Sequence, residues 1–275
     1  MSNESIEDLE IRLLIQGVRE VYGYDFSTYT ETSLKRRINL WLSHSQFANL
    51  THALSQLLRD PLLFASLLHG ITVKVSDMFR DPAFFVAMRE KVIPHLKSYS
   101  FVKIWHAGCA TGEEVYSMAI LLHEEGMQGR FRLYATDIDE TVIHQAREGI
   151  YPLRLMQKFI SNYQQAGGKA SFADYYTVTY GHAMFDSHLK KDMLFSQHNL
   201  ASDSHPGEMH LILCRNVMIY FKPDLKARCI NLFDNCLLPR GFLCLGSNEK
   251  LPENLLPAPY ENFDARLSIY RKSYV

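Results

Sequence analysis

The sequence predicts an α/β nucleotide-binding fold preceded by a helical module, and three stretches carry that expectation. Val102 to Ala119 (VKIWHAGCATGEEVYSMA) opens with alternating and β-branched residues, breaks at Ala107-Gly108-Cys109-Ala110-Thr111-Gly112 and restarts as a helix at Glu113. Strand, glycine turn and helix form the first unit of such folds, where the backbone must approach a ligand without Cβ atoms in the way. Phe131 to Thr136 reads as a second strand with Asp137 at its tip, where an acid commonly takes the ribose diol of an adenine nucleotide. Met209 to Cys214 (MHLILC) is a near-continuous apolar run, as a central parallel strand covered on both faces requires. It delivers Arg215 and Asn216 to the carboxyl end of the sheet, where ligands of such folds bind.

The glycine turn also speaks to the ligand. Counting from Gly108, the second and third glycines of a dinucleotide fingerprint would fall on Ala110 and Glu113. The fingerprint fails, which argues against a nicotinamide dehydrogenase. Glu113 and Glu114 at the helix N-terminus suit the helix dipole but would repel a pyrophosphate. A cofactor with a cationic or zwitterionic part fits better, and S-adenosylmethionine, with its sulfonium and ammonium groups, is such a molecule. His106 and Cys109 beside the turn are read as packing residues.

Taken in order, residues 1 to about 70 read as helices: Ile6, Leu9, Leu13 and Leu14 recur at helical spacing, as do Leu34, Ile38 and Leu42. Asp60-Pro61 is a cap followed by proline at the first helical position. Lys35, Arg36 and Arg37 give this module one basic spot, either a solvated helix face or a docking surface. Residues 71–85 form a linker that covers the cofactor pocket, and Asp81-Pro82 caps a helix reaching Leu96. Thr111 is a candidate cap for the helix from Glu113. After Asp137-Ile138-Asp139 a helix stops at Gly149. Residues 150–198 change character: Tyr175 to Tyr180 has strand propensity, Gly181-His182 reads as a turn and Met193 to Phe195 as a further strand. Pro223 opens a helix to about Leu238, and Gly241 to Leu245 and Leu267 to Tyr270 close the sheet.

Composition bounds the rest. A chain of 275 residues with 47% hydrophobic content can bury a full core and is expected to make two domains. A net charge of −1 argues against bulk attraction to nucleic acid. Five cysteines without a C-x-x-C pair fit a reducing, cytoplasmic setting without a structural zinc site or other metal. MSNESIEDLE is too polar for a signal peptide, and no apolar run approaches the roughly 18 residues of a membrane span, so no membrane insertion is expected.

With those residues in hand, the chain resembles the CheR family of chemoreceptor glutamate methyltransferases. Four blocks carry the resemblance: Ser76 to Pro82 (SDMFRDP), Ala107 to Ser117 (AGCATGEEVYS), Ala135 to Asp139 (ATDID) and Cys214 to Phe221 (CRNVMIYF). Together they form a specific signature across nearly the whole chain. The resemblance implies a Rossmann-like class I methyltransferase domain over 86–275 with an inserted small antiparallel β subdomain at about 150–198, and an all-α domain over 1–70. It implies methyl transfer from S-adenosylmethionine to glutamate side chains on chemoreceptor cytoplasmic helices, leaving S-adenosylhomocysteine. It places Arg80 over the cofactor as a residue needed for activity, and Ser76, Gly108, Glu113, Asp137, Asn199, Leu200, Arg215 and Asn216 around the cofactor. Tyr220 is expected to line the methyl-transfer site. The basic residues Lys35, Arg36 and Arg37 are implied in meeting the receptor, although Asn39 to Leu42 follow where the family commonly continues with basic residues. Lys74 stands where the family usually has asparagine. In some members the β subdomain docks a receptor C-terminal peptide by strand addition. A glutamate carboxylate is already ionised at neutral pH, so the reaction needs alignment and water exclusion rather than a general base. Two other readings remain open: a non-catalytic S-adenosylmethionine sensor or scaffold, and a methyltransferase of another signalling protein. A chain ending at Val275 is expected to carry no appended repeat or receiver domain.

Overall fold

A computed structural model of the chain describes residues 5–74, 76–251 and 260–273. Residues 1–4 of the expected helical stretch and Val75 in the linker lie outside them. The chain divides into two compact units, one of residues 1–73 with 220–228, the other of 74–219 with 229–275.

The first unit is helical: α1 (Ile6–Tyr22), α2 (Glu31–Ser43), α3 (Leu50–Leu57) and α4 (Pro61–Ile71). Local chemistry starts each of three of them. Ser5, Asn49 and Asp60 accept main-chain N–H groups at the N-termini of α1, α3 and α4, and Pro61 occupies the first position of α4. Ile11, Leu14 and Val18 of α1 are buried, whereas Ile6, Leu9 and Leu13 are exposed. Of the four residues expected on the apolar face, only Leu14 is buried. The triplets Ile6-Leu9-Leu13 and Ile11-Leu14-Val18 have the same i, i+3, i+7 spacing, and only the second is buried.

In the second unit, α5 (Pro82–Ala87) passes through a π turn (Met88–Val92) into α6 (Ile93–Leu96). Pro94 removes a main-chain donor there, which accounts for the widened turn. The sheet strands are β1 (Val102–Ala107), β2 (Phe131–Asp137), β6 (Met193–Gln197), β7 (Met209–Cys214), β8 (Leu237–Leu245), β9 (Tyr260–Asp264) and β10 (Ile269–Lys272). Their order is β6-β2-β1-β7-β8-β10-β9. The first five are parallel, and β10 and β9 close the sheet antiparallel. The order reverses between β1 and β7, so the crevice at their carboxyl ends is the switch point at which ligands of open α/β sheets bind. Helix α7 (Glu113–Glu124) packs its Val115, Met118 and Leu122 into the core with Ile104 of β1, Leu133 of β2 and Phe85 of α5. Helix α8 (Glu140–Glu148) is capped by Asp139 and ends at Gly149, which is left-handed at φ 64°. Helix α11 (Pro223–Cys236) precedes β8.

The insert differs from its expected extent. A small antiparallel sheet does form, in the order β3-β5-β4, from β3 (Ile150–Pro152), β4 (Tyr176–Thr179) and β5 (His182–Phe185). It also holds a helix, α9 (Met156–Gln165), and a short turn of helix, α10 (Ser187–Lys190). Met193 to Phe195, however, belongs to β6, which pairs in parallel with β2 from Leu133↔Met193 to Asp137↔Gln197. An apolar triplet announces a strand but not its partner. Strand β9 also lies outside the closing pair expected from the sequence.

Candidate active site

The turn after β1 is built on three left-handed residues, Gly108 (φ 80°), Ala110 (φ 47°) and Gly112 (φ 92°). The protein's own packing already requires both glycines. A Cβ on Gly108 would lie 2.5 Å from Val217 Cγ2, and one on Gly112 2.9 Å from Ala146 Cβ. Gly108→Ala is accordingly expected to lose ~2–4 kcal/mol, from left-handed strain plus overpacking, read by thermal denaturation. Gly112, not Thr111, is the N-cap of α7. The Thr111 hydroxyl instead sits 2.8 Å from both oxygens of Glu113.

Glu113 is 5% exposed. Burial raises its carboxyl above the ordinary range, against the opposing hydrogen bonds of its own N–H and the Thr111 and Ser76 hydroxyls. Asp137, at the end of the neighbouring strand, accepts the N–H groups of Ala110 (2.9 Å) and Asp139 (3.1 Å). Burial raises it too, with a further push from Asp139. One buried and one half-buried carboxylate thus flank one turn, and the bonds that reach them come from hydroxyls and main-chain N–H groups. That arrangement lowers the energy of a positively charged ligand and suits the sulfonium and ammonium of S-adenosylmethionine.

Glu114 behaves oppositely. Burial would raise it, but the His106 ring at 3.1 Å and the Arg215 guanidinium at 2.8 Å outweigh burial and hold its carboxyl at about 2. Arg215 also pairs with Asp81 at 2.7 Å and stacks 3.9 Å over the Phe84 ring, with its side chain only 3% exposed. Arg215, expected among the cofactor residues, has its guanidinium committed to two carboxylates. One expectation is corrected. Asp81 is the N-cap residue of α5 but makes no side-chain cap bond, because its carboxylate faces Arg215.

Asn216 follows in a left-handed conformation (φ 61°). Its N–H and those of Gly246 and Ile219 converge on the buried Glu249 carboxylate at 2.7, 2.7 and 3.1 Å. Sequence reasoning missed Glu249. Its signal was an acid just beyond an apolar strand run, the same placement that marks Asp137. Asn199 closes its own turn, accepting Ala201 N–H (2.9 Å) and donating its N–H to Asp203 (2.8 Å), and Leu200 is buried beside it. Ser76, Arg80 and Lys74 are half-buried in the segment before α5.

The remaining candidates fall in the helical unit. Lys35, Arg36 and Arg37 do not form one basic spot, since consecutive helical residues point about 100° apart. Lys35 pairs with Glu7 (3.0 Å) and Asp8 (2.8 Å), Arg36 is exposed, and Arg37 lies 5.5 Å over the Tyr220 ring. Tyr220 also accepts the Thr30 N–H through its carbonyl at 2.9 Å.

Comparison with known proteins agrees with this architecture. Residues 9–72 match the CheR methyltransferase all-alpha domain, and residues 74–264 its SAM-binding domain. Cher3 of Pseudomonas putida is 44% identical over 273 residues, spanning 99% of this chain and 100% of the relative. The chemotaxis protein methyltransferase of Listeria innocua is 29% identical over 245 residues, 88% of this chain and 89% of the relative. That of Vibrio anguillarum is 31% identical over 212 residues, 72% and 75% of the two chains. Matched by both domain models and by full-length relatives, and carrying two acids at a Rossmann-like switch point, the chain belongs to the CheR methyltransferase family and binds S-adenosylmethionine.

Proposed function

We propose that this protein transfers methyl groups to glutamate side-chain carboxylates on the cytoplasmic helices of chemoreceptors, forming methyl esters, and acts in the cytoplasm. The observation that carries this reading is the pair of acids, buried Glu113 and half-buried Asp137, at the turn of a chain whose relatives include chemotaxis protein methyltransferases. No helix among the described residues is long and apolar enough to cross a membrane. S-adenosylmethionine, when bound, supplies the electrophilic methyl group.

The chain's own residues then bind and orient. Glu113 and Asp137 hold the cofactor's cationic and ribose ends, with Ser76, the Gly108 turn and Asn199-Leu200 completing the pocket. Arg80 holds the cofactor or the acceptor carboxylate. Asn216 helps hold the cofactor, and Arg215 and Glu249 fix the loop that carries it. In the small sheet, β4 is an edge strand with Thr177, Val178 and Thr179 exposed, which supports docking of a receptor C-terminal peptide by strand addition. Lys35, Arg36 and Arg37 contribute to receptor docking chiefly through Arg36, the exposed member.

The test mixes protein, methyl-labelled S-adenosylmethionine and membranes bearing chemoreceptors from the same cell. Label on the receptor that alkali releases as methanol is the expected result. Alkali-stable label would show another acceptor atom. No label, with S-adenosylhomocysteine still bound in calorimetry, would favour another substrate or a sensor.

A further inference from the structure

We infer that the inserted subdomain is part of the cofactor-binding scaffold: helix α9, chiefly through Asn162, is the positioning element that holds the segment presenting Arg80. The inference rests on the reading of Arg80 as a cofactor-contacting residue.

Arg80 stands between two residues in left-handed backbone conformations, Phe79 (φ 51°) and Asp81 (φ 59°). Such φ values are uncommon in residues with a side chain, most of all a bulky one, and persist only where the surroundings hold them. Here every neighbour is held. From α7, Ser117 Oγ accepts the buried Phe79 N–H at 2.8 Å while donating to the Glu113 carbonyl at 2.7 Å. From the exit of β7, Arg215 takes Asp81. The remaining ties come from the insert. Asn162 Nδ2 donates to the Met78 carbonyl at 2.9 Å, Lys158 Nζ meets Asp77 at 2.7 Å, and the Tyr163 ring packs edge-on against Phe79 at 5.2 Å. Lys158 and Asn162, one turn apart, share one face of α9, and Tyr163 follows about 100° further round the helix.

That helix is itself anchored. The Tyr163 hydroxyl bonds to Glu124 at the end of α7, as does Tyr175 at 2.9 Å. Arg89 pairs with Glu124 and donates to the Ala166 carbonyl at 3.2 Å. A module serving only as a receptor dock has no need of these bonds. They join α9 rigidly to the helix whose first turn carries Glu113. Asn162 is the more informative residue to test, because Lys158 is 60% exposed and an ion pair so solvated is weakly held.

The experiment measures S-adenosylhomocysteine affinity by calorimetry for wild type, Arg80→Ala, Asn162→Ala and the double variant, with melting temperatures alongside. Arg80→Ala is expected to weaken binding about tenfold, and Asn162→Ala by roughly half of that on a logarithmic scale. The double variant should match Arg80→Ala, because Asn162 acts through Arg80. A packing role alone would lower the melting temperature without this dependence on Arg80. Wild-type affinity in Asn162→Ala, or effects that multiply in the double variant, would overturn the positioning role while leaving Arg80 in place. Wild-type affinity in Arg80→Ala would overturn the Arg80 reading itself, and the inference with it. Asn162→Asp, which keeps the size and loses the donor, replaces the alanine variant if that one does not fold.

Discussion

Replacing Arg215 with methionine is expected to lower the melting temperature by roughly 10 °C, corresponding to about 3–5 kcal/mol for breaking a buried ion pair from one side. The substitution leaves Glu114 and Asp81 without the cation that bridges them, and the cost falls chiefly on Glu114, whose side chain is 18% exposed against 40% for Asp81. The pH dependence gives a second readout. The Glu114 carboxyl is held at about 2 against an ordinary 4.5. Its folded value is depressed, so its contribution is fully present above pH 4.5 and is lost as pH falls toward 2. The size of that contribution is about 3 kcal/mol. In Arg215→Met the depression shrinks, and the gap between wild type and variant should close as acid protonates Glu114. Arg215→Lys should rescue little, because an ammonium cannot bridge two carboxylates and stack on Phe84 at once. Thermal melts from about pH 3 to pH 7 check both statements. Equal melting temperatures throughout would mean that the network contributes nothing to stability.

Much of this architecture is legible in the sequence, and the failures share a cause. The strand, turn and helix at Val102 to Ala119 and the acid at the tip of β2 are local patterns, with every determinant inside a short window. So are the Asp60-Pro61 start of α4 and the Gly149 stop of α8. Three other features depend on partners distant in the chain. Ile6-Leu9-Leu13 and Ile11-Leu14-Val18 have the same period, and only the neighbouring helices decide which triplet is buried. Met193 to Phe195 reads as a strand wherever it pairs, and its pairing with β2 is set by residues some sixty positions earlier. Arg215 reads as a ligand-binding arginine at a strand end. Nothing nearby in sequence shows that Asp81 and Glu114 already occupy it. Glu249 is the converse case: its three bonds go to main-chain N–H groups, two of them in a distant loop, so no side-chain motif advertises it.

Glu113→Gln is expected to move stability and cofactor affinity in opposite directions. Burial raises the Glu113 carboxyl above its ordinary 4.5. A raised carboxyl means that the folded chain holds the proton more tightly than the unfolded chain does. Stability therefore falls as pH climbs from about 4.5 through the folded value, and at neutral pH the ionised side chain is a net burden on the unliganded protein. Glutamine keeps an acceptor oxygen for the Thr111 and Ser76 hydroxyls and removes the charge. The unliganded variant should therefore melt at the wild-type temperature or a few degrees above it at neutral pH, with the difference shrinking toward pH 4.5. Its affinity for S-adenosylmethionine should fall about ten- to a hundredfold, the loss expected for a charge-assisted bond to a cationic ligand. Denaturation without ligand and calorimetry with S-adenosylmethionine read the two effects separately. A variant that melts lower yet binds the cofactor normally would make Glu113 a structural acid of the α7 N-terminus. The opposite signs would mark it as a residue whose burial is tolerated in the empty chain and used when the cofactor arrives.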